Sequence, residues 1–334
     1  MTTTLDPPTK RTGSPRVTLS LLVRRNTWTL GLVGILALLL VITRMIQPNY
    51  GPAGIQGLAI SVLPLALAAV AQTCAVLARG IDLSIGSMMA LTSVVSATLM
   101  EERSEGFAVV VVIGVLVLGL VLGAINGTLI VFTRVPDIVV TLAMLFVWAG
   151  AALLVLNTPG GGSAAWLRGL TLGPFLIDWV PKAAVVLAVV VAAFWIPIRR
   201  SRLGLSLYAV GSDPLAAFRS GVSVTGTKIF SYVLAGLFSA LGGLSLTATT
   251  GIGTPVPGPY TLMSVAAVVL GGVSLAGGTG GVLGPVIAVV ILSLLRTDMT
   301  FLNVDTNLAT VVQGLILVGV VMVGSLIQMR RRET

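Results

Sequence analysis

The sequence predicts an all-α protein that lies within a membrane. Hydrophobic residues make up 56% of its 334 residues, charged residues make up only 9%, and 39 residues are glycine. This composition, with a mean hydropathy of +1.06, is wrong for a soluble globular protein. The apolar residues come in long runs, and a helix needs roughly 20 of them to cross about 30 Å of hydrocarbon. About ten transmembrane helices are therefore expected.

The apolar runs place these helices along the chain. In chain order the predicted spans are 28–46, 55–78, 83–100, 107–132, 137–156, 181–198, 227–248, 262–276, 282–296 and 308–327. The third, eighth and ninth are short and rich in Gly or Ser. Broken or re-entrant segments are therefore an alternative for these three, because such segments occur near transport pathways.

Positive charges indicate the orientation of the chain. With both termini in the cytoplasm, fifteen of the twenty Lys and Arg residues fall on that side, as the positive-inside rule requires. The five exceptions are Arg44, Arg103, Arg168, Lys182 and Arg296. We expect a cytoplasmic tail over 1–27, a membrane domain over 28–327 that contains a cytoplasmic loop at 204–228, and a second tail over 328–334.

The chain lacks the residues that several kinds of chemistry require. With one cysteine and no histidine, an internal disulfide and imidazole catalysis are excluded, and no metal site is expected. A phosphate-binding loop needs Gly before its Lys, and neither Lys10, Lys182 nor Lys228 follows a glycine. We therefore expect no cofactor, no enzymatic activity and no nucleotide hydrolysis by the chain itself. Its basic residues flank apolar runs, so nucleic acid is not an expected partner.

The loop after the sixth span contains a short predicted helix. Asp213 is a suitable N-cap, Pro214 suits the first turn, and Gly221 can adopt the left-handed conformation that ends a helix. A helix of two turns is not stable alone in water, so packing must hold it. The available anchors are Tyr208, Leu215, Phe218 and Arg219. The helix would dock a protein partner or, alternatively, lie on the lipid interface.

Asp82 and Asp137 are the only acidic residues near the interior of the predicted spans. Each lies at a predicted helix start, where a carboxylate can cap free N–H groups. The alternative is that both, together with Ser84 and Ser87, line a route for a polar solute. The paired intramembrane carboxylates that are typical of ion coupling are lacking. Uphill transport would therefore draw its energy from another subunit.

Three ordered motifs between about residues 55 and 325 resemble a known family. The chain is similar to the permease subunits of bacterial ABC sugar importers of the ribose, xylose and arabinose type, within the branched-chain permease superfamily. The motifs are Gly80-Ile81-Asp82-Leu83-Ser84-Ile85-Gly86-Ser87, then Tyr208-Ala209-Val210-Gly211 with Ala216-Ala217 and Gly221, and Ala266 to Gly272 continued by Val273-Ser274-Leu275-Ala276-Gly277-Gly278-Thr279-Gly280.

The resemblance implies a type II ABC importer-like subunit in the bacterial inner membrane. Such a subunit pairs with a second permease, receives its sugar from a periplasmic or lipid-anchored binding protein, and is driven by two cytoplasmic ATPase domains that bind ATP and Mg. The loop at 204–228 would then contain the coupling helix. The expected ATPase-coupling residues are Asp213, Pro214, Leu215, Phe218, Arg219 and Gly221.

Departures from the family pattern leave the second permease undefined. Thr261 and Met263 replace a usual acidic pair, Asp137 follows Pro136 where the family has Phe, and Leu205 replaces a frequent Arg. These changes are compatible with a homodimer for an unusual solute or with one half of a paralogous heterodimer. An ion-coupled secondary transporter of a small polar solute is the alternative function.

Overall fold

The computed structural model describes residues 27–322, apart from 257, 306, 313, 316, 317, 320 and 321. Within these residues the regular structure is helical. The helices are α1 (Thr27–Ile46), α2 (Pro52–Leu77), α3 (Ile85–Met100), α4 (Glu105–Thr133), α5 (Asp137–Val155), α6 (Ala165–Thr171), α7 (Lys182–Arg200, with a π-helical turn at Val191–Trp195), α8 (Arg202–Ser212), α9 (Pro214–Arg219), α10 (Val224–Thr250), α11 (Tyr260–Leu270) and α12 (Leu283–Phe301).

Nine of the ten predicted spans coincide with a helix. Seven helices are long and apolar enough to cross a membrane, namely α1, α2, α4, α5, α7, α10 and α12. The ninth predicted span is a full helix of 19 residues, so the prediction that it is short was wrong. The tenth, 308–327, is described only in part, as helical residues within 307–312, 314–315, 318–319 and 322. The total of ten stays a prediction.

Two helices are too short to cross the bilayer. At 1.5 Å per residue, α3 is about 24 Å long and α11 is about 16 Å long, against about 30 Å of hydrocarbon. Their N-terminal ends meet: the Gly86 N–H donates to Thr261 Oγ1 at 3.0 Å. Between α10 and α11 the chain runs beside α3, where Thr254 N donates to Ser93 Oγ at 3.4 Å. The third and eighth predicted spans are therefore short helices, and the alternative that they are broken or re-entrant segments stays a prediction.

The core lies around α2, α3 and α10, in each of which most residues are buried. Leu63 on α2 and Tyr232 and Phe238 on α10 are fully buried. Apolar residues surround α2 on all sides, as expected of a helix enclosed by others. α10 packs against α2, α3 and α4. By contrast, α1 exposes most of its apolar side chains at the periphery.

The loops segregate to two ends of the bundle. At one end, which we call the basic end, Arg79 donates to the carbonyls of Ser212 (3.2 Å) and Ala276 (2.8 Å), and Trp28 donates to Leu270 O (3.0 Å). At the opposite end, Gln56 donates to Asp178 O at 2.9 Å. This segregation matches the predicted alternation of loops. Because most of the 1–27 and 328–334 tails is not described, a cytoplasmic location of both termini stays a prediction.

Candidate functional site

The short helix α9 protrudes at the basic end and is capped as predicted. Asp213 Oδ1 accepts hydrogen bonds from the N–H groups of Leu215 (2.9 Å) and Ala216 (3.0 Å), and Pro214 occupies the first turn. Gly221 ends the helix with φ of 81°, a left-handed conformation that costs glycine little. The local sequence alone therefore defines both ends of α9.

The predicted anchors of α9 are placed differently from the expectation. Leu215 is 59% exposed and Phe218 is 68% exposed, so their own chain leaves most of each side chain uncovered, and Arg219 is exposed beside them. Ala217, which is 5% exposed, is the residue that α9 buries. Leu215, Phe218 and Arg219 therefore do not hold α9 against the membrane domain, and their role as anchors for a partner or for the lipid interface stays a prediction. The three side chains instead form an exposed apolar and basic surface, which we call the α9 surface.

The neighbouring helix α8 is attached firmly to the membrane domain. A Cβ at Gly211 would overlap the carbonyl of Leu77 and the backbone of Gly278, so only glycine allows this approach. Tyr208 is half-buried, and its hydroxyl donates to Gly280 O at 3.0 Å. Burial raises the pKa of the Tyr208 hydroxyl in spite of the nearby positive charge of Arg199. A displacement of this segment would therefore reach the end of α2 directly.

Asp137 forms an ion pair with a residue on another helix. Its Oδ1 lies 2.8 Å from Lys228 Nζ, and its Oδ2 accepts a hydrogen bond from Tyr232 Oη at 2.7 Å. The side chains of Asp137 and Lys228 are 13% and 24% exposed. Asp137 is the first residue of α5, but its carboxylate does not cap that helix. The capping interpretation of Asp137 was therefore wrong, because two residues of α10, Lys228 and Tyr232, each bind one of its oxygens.

Replacing Lys228 with Met is expected to lower the thermal stability of the protein. The change leaves the mostly buried Asp137 carboxylate without its counter-ion. The expected loss in the free energy of unfolding lies between the ~1 kcal/mol found for exposed ion pairs and the ~3–5 kcal/mol found when one partner of a fully buried pair is removed. Thermal unfolding in detergent is the measurement, and adding Asp137→Asn to Lys228→Met should recover most of the loss. Arg202→Gln, at an exposed basic residue, is the matched control; an equal loss there would contradict the assignment.

Asp82 organises a buried network between α2 and α3. Its Oδ1 accepts from Ser84 N (2.8 Å) and Ser84 Oγ (2.6 Å), and Asn126 Nδ2 on α4 donates to Ser84 Oγ at 2.7 Å. Trp148 Nε1 on α5 then donates to Asn126 Oδ1 at 3.3 Å. Asp82 binds an N–H one position before α3 begins, so it is a turn residue and not the N-cap, which is Ser84.

Asp82, Ser84 and Ser87 lie inside the protein and line neither of the two cavities described below. Asp82 and Ser84 are fully buried and Ser87 is 7% exposed. Ser87 Oγ donates to Ser84 O at 2.8 Å, and Asp82 Oδ2 has no hydrogen-bond partner among the described residues. These residues sit next to Thr261, which accepts from Gly86 at the junction of α3 and α11. They therefore lie beside the point where the N-terminal ends of α3 and α11 meet.

A cavity of about 510 Å³ lies beside this junction, towards the opposite end. It is formed by α2, α10, α11 and α12, and its lining is rich in hydroxyl groups. The polar side chains that line it are Ser61, Thr249, Thr250, Tyr260, Ser293, Arg296, Thr297 and Thr300. Sequence reasoning missed this set, because its members are spread over some 240 positions and form no motif.

Most hydroxyl groups that line the cavity already donate a hydrogen bond to a backbone carbonyl. Thr249 donates to Ser245 O at 2.8 Å, Thr297 to Ser293 O at 3.0 Å and Thr300 to Arg296 O at 3.0 Å. A hydroxyl that donates once still has lone pairs that accept. The Arg296 guanidinium has neither a hydrogen bond nor a carboxylate partner in the described part of the chain, and it has donors only. The cavity thus offers acceptors from its hydroxyls and donors from one arginine.

Comparisons with known proteins place the chain in a family. Residues 54–321 match the family described as branched-chain amino acid transport system / permease component. The ribose import permease protein RbsC of Escherichia coli (strain K12) is 34% identical over 77% of this chain and 81% of its own length. RbsC of Bacillus subtilis (strain 168) is 34% identical over 84% of this chain and 88% of its own length.

A relative named for another sugar is also similar. The galactose/methyl galactoside import permease protein MglC of Haemophilus influenzae is 30% identical over 74% of this chain and 79% of its own length. No solved structure matches the chain. The chain belongs to this permease family and is a multi-pass membrane protein of the bacterial inner membrane. The resemblance that the three sequence motifs indicated is confirmed.

Proposed function

We propose that this chain is the permease subunit of an ATP-driven importer for a sugar or sugar-like solute. It forms the translocation path and couples to separate ATPase domains that bind ATP and Mg. The relatives named ribose and galactose import permeases support a sugar, and the family match supports a permease. The observation on which the coupling proposal depends is the α9 surface, a short capped helix that leaves Leu215 and Phe218 exposed outside the membrane domain.

Large exposed apolar residues on a protruding, polar-capped helix are typical of a surface that a partner covers. We assign the cytoplasmic side to the basic end, and the ATPase to the α9 surface. Asp213, Pro214 and Gly221 shape α9, while Leu215, Phe218 and Arg219 contact the partner. The other partners are a second permease copy or a paralogue, and a sugar-binding protein at the opposite end.

α10 provides a mechanical route from the ATPase to the solute. It begins five residues after α9, carries Lys228 near that end, and reaches Thr249 and Thr250 in the cavity. A continuous helix of 27 residues spans about 40 Å and moves as one unit. Movement of the α9 surface would therefore tilt α10 and change the width of the cavity. This is a two-state change biased by contacts that differ between the states.

The cavity suits a neutral polyhydroxylated solute. Sugar hydroxyls both donate and accept, and the cavity supplies acceptors from Thr249, Thr297 and Thr300 with donors from Arg296. In this proposal the sugar passes through the cavity towards the junction of α3 and α11. Asp82, Ser84, Ser87 and Asp137 then shape the inner part of the route and hold its helices in place.

Replacing Arg296 with Met is expected to lower sugar uptake about tenfold or more, because a hydrogen bond to a charged donor contributes ~1.5–3 kcal/mol. Arg296→Lys should retain part of the uptake. The measurement is initial uptake of labelled sugar, normalised to the amount of permease in the membrane. Arg103→Met, at an exposed arginine of the same end outside the cavity, is the control. Equal uptake by the wild type and the Arg296→Met variant would show that the sugar does not pass through this cavity.

Co-purification tests the proposed assembly. A tagged permease extracted in mild detergent is expected to retain an ATPase subunit, and mass spectrometry would identify it. Retention of the ATPase should depend on the α9 surface and not on the cavity, so Arg296→Met should retain it fully. A permease that purifies without any ATPase while still transporting sugar would contradict the proposal.

A further inference from the structure

A long groove runs along α7. It encloses about 1190 Å³ between α1, α2, α7 and α12, which exceeds the ~300–1,000 Å³ of ordinary small-molecule pockets. On α7 its lining includes three exposed alanines spaced four residues apart, Ala184, Ala188 and Ala192, beside the larger side chains of Leu187, Val191, Trp195 and Ile196. The lining along most of its length is aliphatic, so an occupant must present an extended apolar chain.

The groove follows the depth of the bilayer. It begins near Pro181 at the opposite end and finishes at Arg199 and Arg200 at the basic end. The 19 residues of α7 cover about 28 Å, close to the thickness of the hydrocarbon layer. Trp28 and Trp195 also line the groove, and tryptophan is enriched at membrane interfaces. The two arginines are therefore at the level of the lipid headgroups.

Both arginines are exposed and lack a carboxylate partner. The one ion pair within the described residues joins Lys228 to Asp137, and no hydrogen bond from either the Arg199 or the Arg200 side chain is found there. Arginine recognises phosphate through two parallel N–H donors. Two free guanidinium groups at the mouth of an apolar groove thus complement a molecule with a phosphate at one end and a long hydrocarbon chain at the other.

We propose that this groove binds an anionic phospholipid. Arg199 and Arg200 hold its phosphate, and an acyl chain lies along Ala192, Ala188 and Ala184. The charge balance disfavours the chain's own N-terminal segment as the occupant: residues 1–26 carry five Lys and Arg against a single acid, Asp6, so they would repel the two arginines. The lipid would hold α1 against α7 on the side of the bundle away from the solute cavity.

Native mass spectrometry of the full-length permease in detergent tests the proposal. Phosphatidylglycerol is expected to bind more tightly than phosphatidylcholine, and the Arg199→Gln/Arg200→Gln variant should bind phosphatidylglycerol about 10- to 30-fold more weakly. The Arg134→Gln/Arg202→Gln variant loses the same charge at the same end but outside the groove lining, so its affinity should change less than threefold. Equal affinity for the two lipids, or equal losses in the two variants, would overturn the proposal.

A second pair of variants tests the groove itself. Ala188→Trp fills the groove and should displace the lipid, while Ala193→Trp, also exposed on α7 but outside the lining, should not. Lipid binding that survives Ala188→Trp would place the acyl chain elsewhere and contradict the assignment. If Arg199→Gln/Arg200→Gln instead separates permease dimers and leaves phosphatidylglycerol binding intact, a second copy covers the groove and the lipid proposal fails.

Discussion

Replacing both Leu215 and Phe218 with alanine is expected to reduce sugar uptake to less than a tenth of the wild-type rate. The two side chains are 59% and 68% exposed, so their loss removes little packing within the permease. In the assembled transporter they would fill a pocket of the ATPase, where truncating a central apolar residue costs ~2 kcal/mol or more. Uptake by cells and retention of the ATPase during purification are the two measurements.

A matched pair of residues provides the control. Leu129 and Phe132 are also three positions apart on a helix, are 37% and 76% exposed, and lie near the basic end of α4. Changing both to alanine should leave uptake and ATPase retention unchanged. The docking assignment is wrong if the Leu215→Ala/Phe218→Ala variant still retains its ATPase and transports sugar normally.

The Gly119→Val substitution is expected to destabilise the fold strongly. Gly119 and Gly123 on α4 face Gly236 on α10, with the helix backbones in direct contact. A Cβ at Gly119 would lie 2.6 Å from Gly236 O, closer than any real contact, so the helices must separate. Overpacking costs about 1–3 kcal/mol, and small residues are what allow membrane helices to approach this closely.

Thermal unfolding in detergent and the yield of monodisperse protein measure this effect. We expect Gly119→Val to lower the midpoint and the yield sharply. Gly114 lies on the same helix with no neighbouring atom within 4 Å of its Cβ direction, so Gly114→Val should behave like the wild type. Equal midpoints for Gly119→Val and Gly114→Val would show that α4 and α10 do not pack through this face.

The features predicted correctly from the sequence are those set by neighbouring residues. Hydrophobic runs place the helices within a few residues, because the length of a span is fixed by the bilayer. The N-cap Asp213 and the terminating Gly221 define α9 through contacts that reach at most a few positions along the chain. The apolar runs of the third and eighth spans are shorter than the roughly 20 residues that cross a bilayer, and the sequence therefore indicated that these spans differ from the others.

The features that the sequence did not predict depend on contacts between distant residues. Asp137 was expected to cap its own helix, but Lys228 and Tyr232 bind it from α10. Ser84 meets Asn126, which lies 42 positions further along the chain. The hydroxyls of the cavity come from four helices. None of these pairings leaves a periodic or short-range pattern, so only the packing of the helices brings them together.

The energy source of uptake tests the central claim most directly. The experiment uses cells that express the permease with its co-purified partners and, as the labelled probe, the sugar that the binding protein retains. Uptake is measured once after ATP depletion with the proton gradient maintained, and once after a protonophore with ATP maintained. We predict that uptake stops in the first condition and continues in the second. Uptake that survives ATP depletion and stops with the protonophore would identify an ion-coupled secondary transporter and contradict the account.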